Sequence, residues 1–140
     1  TYDAGAGTVT AAYGTATAKA HADANFTAQD ETDGLGTEGE LKSTGLKTEL
    51  IRNLKIEVSN NLAKTDWYVT RKSEKTTAIP SNISTHRDAV RTKQASMETA
   101  ITNAADTAAL ETLYTVVNTA DEGDAPVYAR PLGELPELES

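Results

Sequence analysis

Apolar residues at every fourth position between residues 46 and 62 constrain the fold of this chain more than any other feature. Residues three or four apart lie on the same face of an α-helix, and charged residues occupy the other faces of this segment. The spacing predicts an amphipathic helix over residues 42–63. Its apolar face consists of Leu46, Leu50, Leu54, Val58 and Leu62.

Two further apolar stripes predict a helix over residues 82–102 and another over residues 106–118. Pro80 disfavours helical backbone angles at Ile79, so the first of these helices begins after it. Asp106 can cap the second. The stripes consist of Ile83, Val90, Met97 and Ile101, and of Leu110, Leu113, Tyr114 and Val117.

The segments outside these helices predict loops and two arms. Thr alternates with small side chains in residues 1–18, which favours an extended, strand-like arm. An Ala-rich stretch around Phe26 predicts a short helix within residues 19–29, and a Gly-rich loop follows it. The polar residues 71–77 predict a loop between the first two long helices.

Three prolines, at positions 126, 131 and 136, exclude a regular helix from the end of the chain. Apolar residues spaced among them predict that this segment lies extended in a groove of its own subunit or of a neighbour. We therefore predict a mainly α fold with a small core of about three helices over residues 42–119. An extended N-terminal arm, 1–41, precedes it, and a Pro-rich C-terminal arm, 120–140, follows.

Bulky apolar residues are scarce in this chain. Leu, Ile, Val and Phe supply 24 of 140 residues, while Ala alone supplies 22. This share of about 17% lies below the rough 20% under which chains struggle to bury enough apolar surface to offset conformational entropy. We expect either loose segments or burial completed by a partner.

Charge is unevenly distributed along the sequence. The net charges are −6 for residues 1–41, +5 for residues 42–98 and −7 for residues 99–140. The acidic ends could fold back on the basic middle of the same chain, or they could dock on the middle of another copy. The acidic flanks would repel nucleic acid, and no set of aromatic residues for base stacking accompanies the basic stretch, so we expect no nucleic-acid partner.

Motifs for catalysis or cofactor binding are weak. Residues 34–39 match the GxGxxG pattern, but acidic residues precede it where a β-strand is required, so a loop is the favoured interpretation. His21 and His86 are the only histidines, there is no Cys, and no Gly-x-Ser-x-Gly motif occurs. We expect no enzyme activity, catalytic residue, cofactor, metal or small-molecule substrate. No apolar run is long enough to predict a membrane helix.

Trp67, the only tryptophan, has two interpretations. It could be a core residue that follows the long helix, or it could contact a partner, because Trp is enriched at the centres of interfaces. We select Leu54, Trp67, Val90 and Tyr128 as candidate interface residues.

Four short runs stand out in the middle of the sequence: Arg52-Asn53-Leu54, Leu62 to Trp67, Ile79-Pro80 and His86 to Arg91. Together they resemble the module of phage tail-fibre assembly proteins and related tail chaperones. In that family a helix ends at Thr-Asp-Trp, and a second helix carries Tyr-Arg-x-x-Leu-Arg; here His86 replaces the Tyr and Val90 replaces the Leu. The resemblance covers about residues 50–117, and the Thr- and Ala-rich ends are similar to those of small marine cyanophage proteins.

This resemblance implies a non-enzymatic structural or assembly protein of a phage virion. We expect a tail component, in a fibre, tube or connector, that acts through homo-oligomerisation and arm exchange. Its partners would be other copies of itself and other phage tail proteins, and it would be found in the virion after assembly in the host bacterial cytoplasm. The alternative is a tail-fibre assembly chaperone that is absent from the mature particle. An enzyme, the third class, would need a pocket around His21 or His86.

Overall fold

Five helices and three two-stranded antiparallel sheets form the part of the chain that the computed structural model describes, residues 2–3, 8–9 and 19–138. The helices are α1 (Ala28–Thr32), α2 (Leu46–Ala63), α3 (Asp66–Lys75), α4 (Ser81–Asn103) and α5 (Thr107–Tyr114). The paired strands are β1 (Tyr2–Asp3) with β2 (Thr8–Val9), β3 (Ala24–Asn25) with β4 (Leu41–Ser43), and β5 (Val117–Asn118) with β6 (Tyr128–Ala129). The prediction of a mainly α fold is confirmed.

The core lies between α2 and α4, and α5 closes one end of it. The apolar stripes predicted for these two helices lie in this core. Every residue of the α4 stripe is buried. In the α2 stripe, Leu54 and Val58 are buried, and Leu46, Leu50 and Leu62 pack against them partly buried. The buried cluster consists of Leu54, Val58, Val90, Met97, Ile101, Ala104, Leu110 and Leu132.

The Pro-rich C-terminal segment completes this core within its own subunit. Leu132 is buried, and its N–H donates to the carbonyl of Leu113 at 3.0 Å. The amide Nδ2 of Asn61 donates to the carbonyl of Pro136 at 3.2 Å. The segment was predicted to lie in a groove of its own subunit or of a neighbour, and it lies on its own subunit.

Helix α2 begins at Leu46, four residues later than predicted. Residues 41–43 are strand β4 instead, because they pair with β3. The carbonyl of Ala20 accepts from the N–H of Leu46 at 2.9 Å, and Asp23 Oδ1 accepts from the N–H of Gly45 at 2.6 Å. These contacts satisfy N–H groups that have no partner inside the helix. A Cβ at Gly45 would lie 2.2 Å from the carbonyl carbon of Ala22, so only glycine fits.

The predicted helix over residues 19–29 is wrong, because α1 covers only residues 28–32. Its start is set by a capping box, in which the side chain of Thr27 accepts from the N–H of Asp30 and the Asp30 carboxylate accepts from the N–H of Thr27. Lys42 Nζ lies 2.7 Å from Asp30 Oδ1. The Lys42 ammonium, together with the Thr27 donors, lowers the pKa of Asp30 to about 2.

Two predicted boundaries near the middle and the end of the chain are also wrong. Most of the predicted loop over residues 71–77 belongs to α3, whose exposed polar residues are good helix formers. The helix predicted over residues 106–118 ends at Tyr114, although Asp106 caps it as expected. The β-branched residues 115–117 follow, and Val117 pairs with Ala129 instead of continuing the helix.

The predicted strand-like arm over residues 1–18 lies mostly outside the described residues. The described pairs are Tyr2 with Val9 and Asp3 with Thr8.

Candidate interaction surfaces

A buried arginine on α4 joins three helices. The Nη1 atom of Arg87 donates to the carbonyl of Leu62 at 2.9 Å, to Thr65 Oγ1 at 2.7 Å and to Asp66 Oδ1 at 2.8 Å. The last carbonyls of a helix lack partners and carry the negative end of its dipole, so a cation at the end of α2 is doubly favourable. Thr65 is only 1% exposed, so water cannot replace this contact. We call this set of contacts the Arg87 clasp.

Helix α3 has no buried residue and carries the first candidate surface. Trp67 is 52% exposed, and its ring lies 4.0 Å from that of Tyr68, centroid to centroid. The guanidinium carbon of Arg71 lies 4.6 Å from the Trp67 centroid and 5.4 Å from the Tyr68 centroid, within cation–π range. Lys72 and Lys75 extend the positive charge to the end of the helix. These five residues are the α3 surface.

The interpretation of Trp67 as a core residue is wrong. Its side chain is half exposed and lies outside the buried cluster, while the preceding residue, Asp66, pairs with Arg87. The interpretation as a partner contact stays a prediction. Within residues 19–138, Arg71, Lys72 and Lys75 form no ion pair.

The second candidate surface is the hairpin formed by β5, β6 and their connection. Val116, Val127 and Tyr128 are all exposed, Tyr128 at 69%. The Asn118 side chain holds the hairpin closed, since its Oδ1 accepts from the N–H of Val127 at 2.9 Å. The connection is acidic and fully exposed, with Asp121, Glu122 and Asp124. Residues 116–128 are the hairpin surface.

A cleft of about 520 Å³ lies between α2, the start of α4 and the C-terminal segment. His86 lines it but is largely buried, and its Nε2 lies 3.0 Å from Asn61 Oδ1. Since Asn61 Nδ2 donates to Pro136, Oδ1 is the acceptor and His86 Nε2 carries the hydrogen. His86 therefore anchors the C-terminal segment through Asn61. His21 contributes its backbone carbonyl to the cap of α2.

The GxGxxG segment folds as a turn around Phe26. A Cβ at Gly36 would lie 2.5 Å from the Phe26 ring, and the N–H of Gly39 donates to the carbonyl of Phe26 at 2.9 Å. Gly36 thus allows close packing on the aromatic ring, while Gly39 supplies the positive φ of 85° that the turn requires. Within the described ranges, no three His, Cys, Asp or Glu side chains are grouped so that they could hold a metal. No helix there has the length and apolar character needed to cross a bilayer.

The four candidate interface residues fall into two groups. Leu54 and Val90 lie in the core of the chain itself and pack in the same buried cluster. Trp67 and Tyr128 are exposed, and they lie on two different surfaces. Sequence reasoning missed Arg71, although its spacing of four residues from Trp67 would have indicated a contact had α3 been predicted as a helix.

The chain was compared with protein-family models, curated proteins and solved structures. No match was found.

Proposed function

We propose that this chain is a non-enzymatic structural and assembly protein of a bacteriophage virion, a tail component that joins a fibre, tube or connector to its neighbours. It acts through contacts with other copies of itself and with other tail proteins. It is assembled in the host bacterial cytoplasm and stays in the particle. The proposal starts from the sequence resemblance to tail-fibre assembly proteins.

The observation that carries the proposal is the Arg87 clasp. The resemblance lies in separate runs of the sequence, and the clasp joins two of them, since Arg87 of the second helix binds Thr65 and Asp66 of the Thr-Asp-Trp motif. The clasp leaves Trp67, the last residue of that motif, half exposed. A rigid unit that holds a tryptophan at the surface suits a protein that acts by binding other proteins.

The experiment is quantitative mass spectrometry of purified particles of the phage that encodes the chain. The proposal predicts a fixed ratio of this chain to the other tail proteins through repeated purification. In the phage genome, Trp67→Ala should reduce incorporation, whereas Ile56→Ala, an equally exposed apolar residue on α2, should not. Particles that lack the chain, yet are complete, would contradict the proposal.

A tail-fibre assembly chaperone that leaves the particle is the second candidate. The Thr-Asp-Trp motif, which follows α2 and begins α3, favours it, because this motif is part of the resemblance to that family. The same experiment separates the two functions. A chaperone would be found in the infected cell with the fibre protein and would be missing from purified particles.

A further inference from the structure

We infer that copies of this chain assemble head to tail, with the hairpin surface of one copy docking on the α3 surface of the next. The inference deepens the proposed function and rests on it for the role of the assembly. The occupant of the α3 surface is a second copy of the chain.

Both surfaces expose large apolar side chains that lie beside charged residues. Trp67 is exposed on the α3 surface beside the Tyr68 ring, and Val116, Val127 and Tyr128 are exposed on the hairpin. Contiguous apolar patches bordered by polar residues mark interaction sites, and Trp and Tyr dominate the binding energy of such interfaces. Each surface therefore offers an aromatic anchor that the chain itself leaves uncovered.

The two surfaces carry opposite charge. Helix α3 carries three cations, Arg71, Lys72 and Lys75, against one further exposed acid, Glu74, and none of the three cations forms an ion pair within residues 19–138. Asp66, at the start of the helix, is engaged by Arg87. The hairpin surface has three acids, Asp121, Glu122 and Asp124, and no base. Opposite potentials on two facing patches set orientation and suppress wrong pairings.

The placement of the surfaces determines the kind of assembly. Helix α3 directly follows α2 and contacts it, whereas the hairpin directly follows α5, which contacts α4, and both surfaces stay exposed in the single chain. An interface between two different patches is heterologous, so each docked copy presents a free patch for the next one. Such contacts close into a ring or extend into a filament, as the neighbouring subunits of a tail require.

Two variants of the full-length chain test this inference. The α3 variant, W67A/K72E, removes the aromatic anchor and reverses one charge, and the hairpin variant, Y128A/E122K, does the same on the other surface. All four positions are exposed, so circular dichroism and thermal melts should match the wild type. The control, R52E/K55E, changes two exposed cations of α2 outside both surfaces.

The masses are measured by sedimentation over a range of protein concentrations. The wild type and the control should form species larger than dimers, and each variant alone should associate at least about thirtyfold more weakly. An equal mixture of the two variants should form a heterodimer that does not grow, because one intact hairpin surface meets one intact α3 surface. This capped dimer is specific to a head-to-tail interface.

Four results would overturn the inference. The first is a wild type that is monomeric at every concentration, and the second is a variant that self-associates as strongly as the wild type. The third is a mixture of the two variants that stays monomeric. The fourth is a control whose self-association is weakened as much as that of the variants. A monomeric wild type that binds a single-stranded oligonucleotide, with loss of binding in the α3 variant alone, would identify a nucleic-acid surface instead. A monomeric chain that is nevertheless present in purified particles would leave the proposed function standing, with other tail proteins as its partners.

Discussion

Helices α4 and α3 are neighbours in sequence, yet they use their apolar residues in opposite ways. The apolar stripe residues of α4 are four or seven positions apart, so they lie on one face, where all are buried and Val90, Met97 and Ile101 join the cluster shared with α2. Those of α3 are consecutive, Trp67-Tyr68-Val69, so they point in different directions around the helix and no residue of α3 is buried. The spacing of apolar residues along a helix, and not their number alone, therefore decides whether they are buried within the chain or stay exposed for a partner.

The buried face of α4 should be the most sensitive to substitution. Ile101→Ala removes a fully buried side chain from the α4 face, and we expect the free energy of unfolding to fall by about 2–5 kcal/mol. Val69→Ala, on the exposed α3, should change it by less than about 0.5 kcal/mol. Urea denaturation of both variants as dilute monomers measures the difference. Equal losses would mean that α3 is packed as firmly as α4.

A smaller loss of stability is expected at the Arg87 clasp, which connects α4 to the start of α3. Arg87→Met removes the charged donor to the buried Thr65 hydroxyl and to the Leu62 carbonyl and leaves the Asp66 carboxylate without its ion pair, and we expect a loss of about 1.5–3 kcal/mol. The control is Arg91→Met, since Arg91 is half exposed and pairs with Asp88 at 3.4 Å, which predicts a loss below about 1 kcal/mol. Tryptophan fluorescence should report a changed Trp67 environment only in the Arg87 variant. No loss of stability in that variant would show that the clasp does not fix α3.

The smallest expected change is in the pH dependence of the β3–α1–β4 unit, which lies outside α3 and α4. The Lys42 ammonium holds the pKa of Asp30 at about 2, below its usual 3.8. The ionised carboxylate therefore stabilises the β3–α1–β4 unit above pH 3.8, and this contribution is lost as the pH falls through about 2. NMR titration should show the Asp30 pKa rising in Lys42→Met, with Lys55→Met as the control. A wild-type Asp30 that titrates at 3.8 would contradict the contact.

Much of the core could be predicted from the sequence, because its signal is local. The stripes of α2 and α4 repeat at helical spacing, and Asp106 marks the start of α5. The missed boundaries depend on residues far away in the sequence. The end of α5 depends on strand β6, and the start of α2 depends on Ala20 and Asp23.

Only some residues of the candidate surfaces could be predicted from the sequence. Trp67 and Tyr128 could be selected because large aromatic residues favour interfaces, whereas Leu54 and Val90 belong to the core. The placement of Arg71 over Trp67 could not be predicted, because polar composition does not distinguish an exposed helix from a loop. The pairing of Val117 with Ala129 that presents Tyr128 is likewise a property of the folded chain.

The central claim is that the α2–α4 core is complete in one chain while the α3 and hairpin surfaces need another copy. Amide hydrogen exchange, measured at low and high protein concentration, tests it most directly. The account predicts concentration-independent protection in α2 and α4, and protection that increases with concentration in α3 and in β5 and β6. Exchange rates in α3 and the hairpin that do not depend on concentration would contradict it, as would a core that is protected only at high concentration.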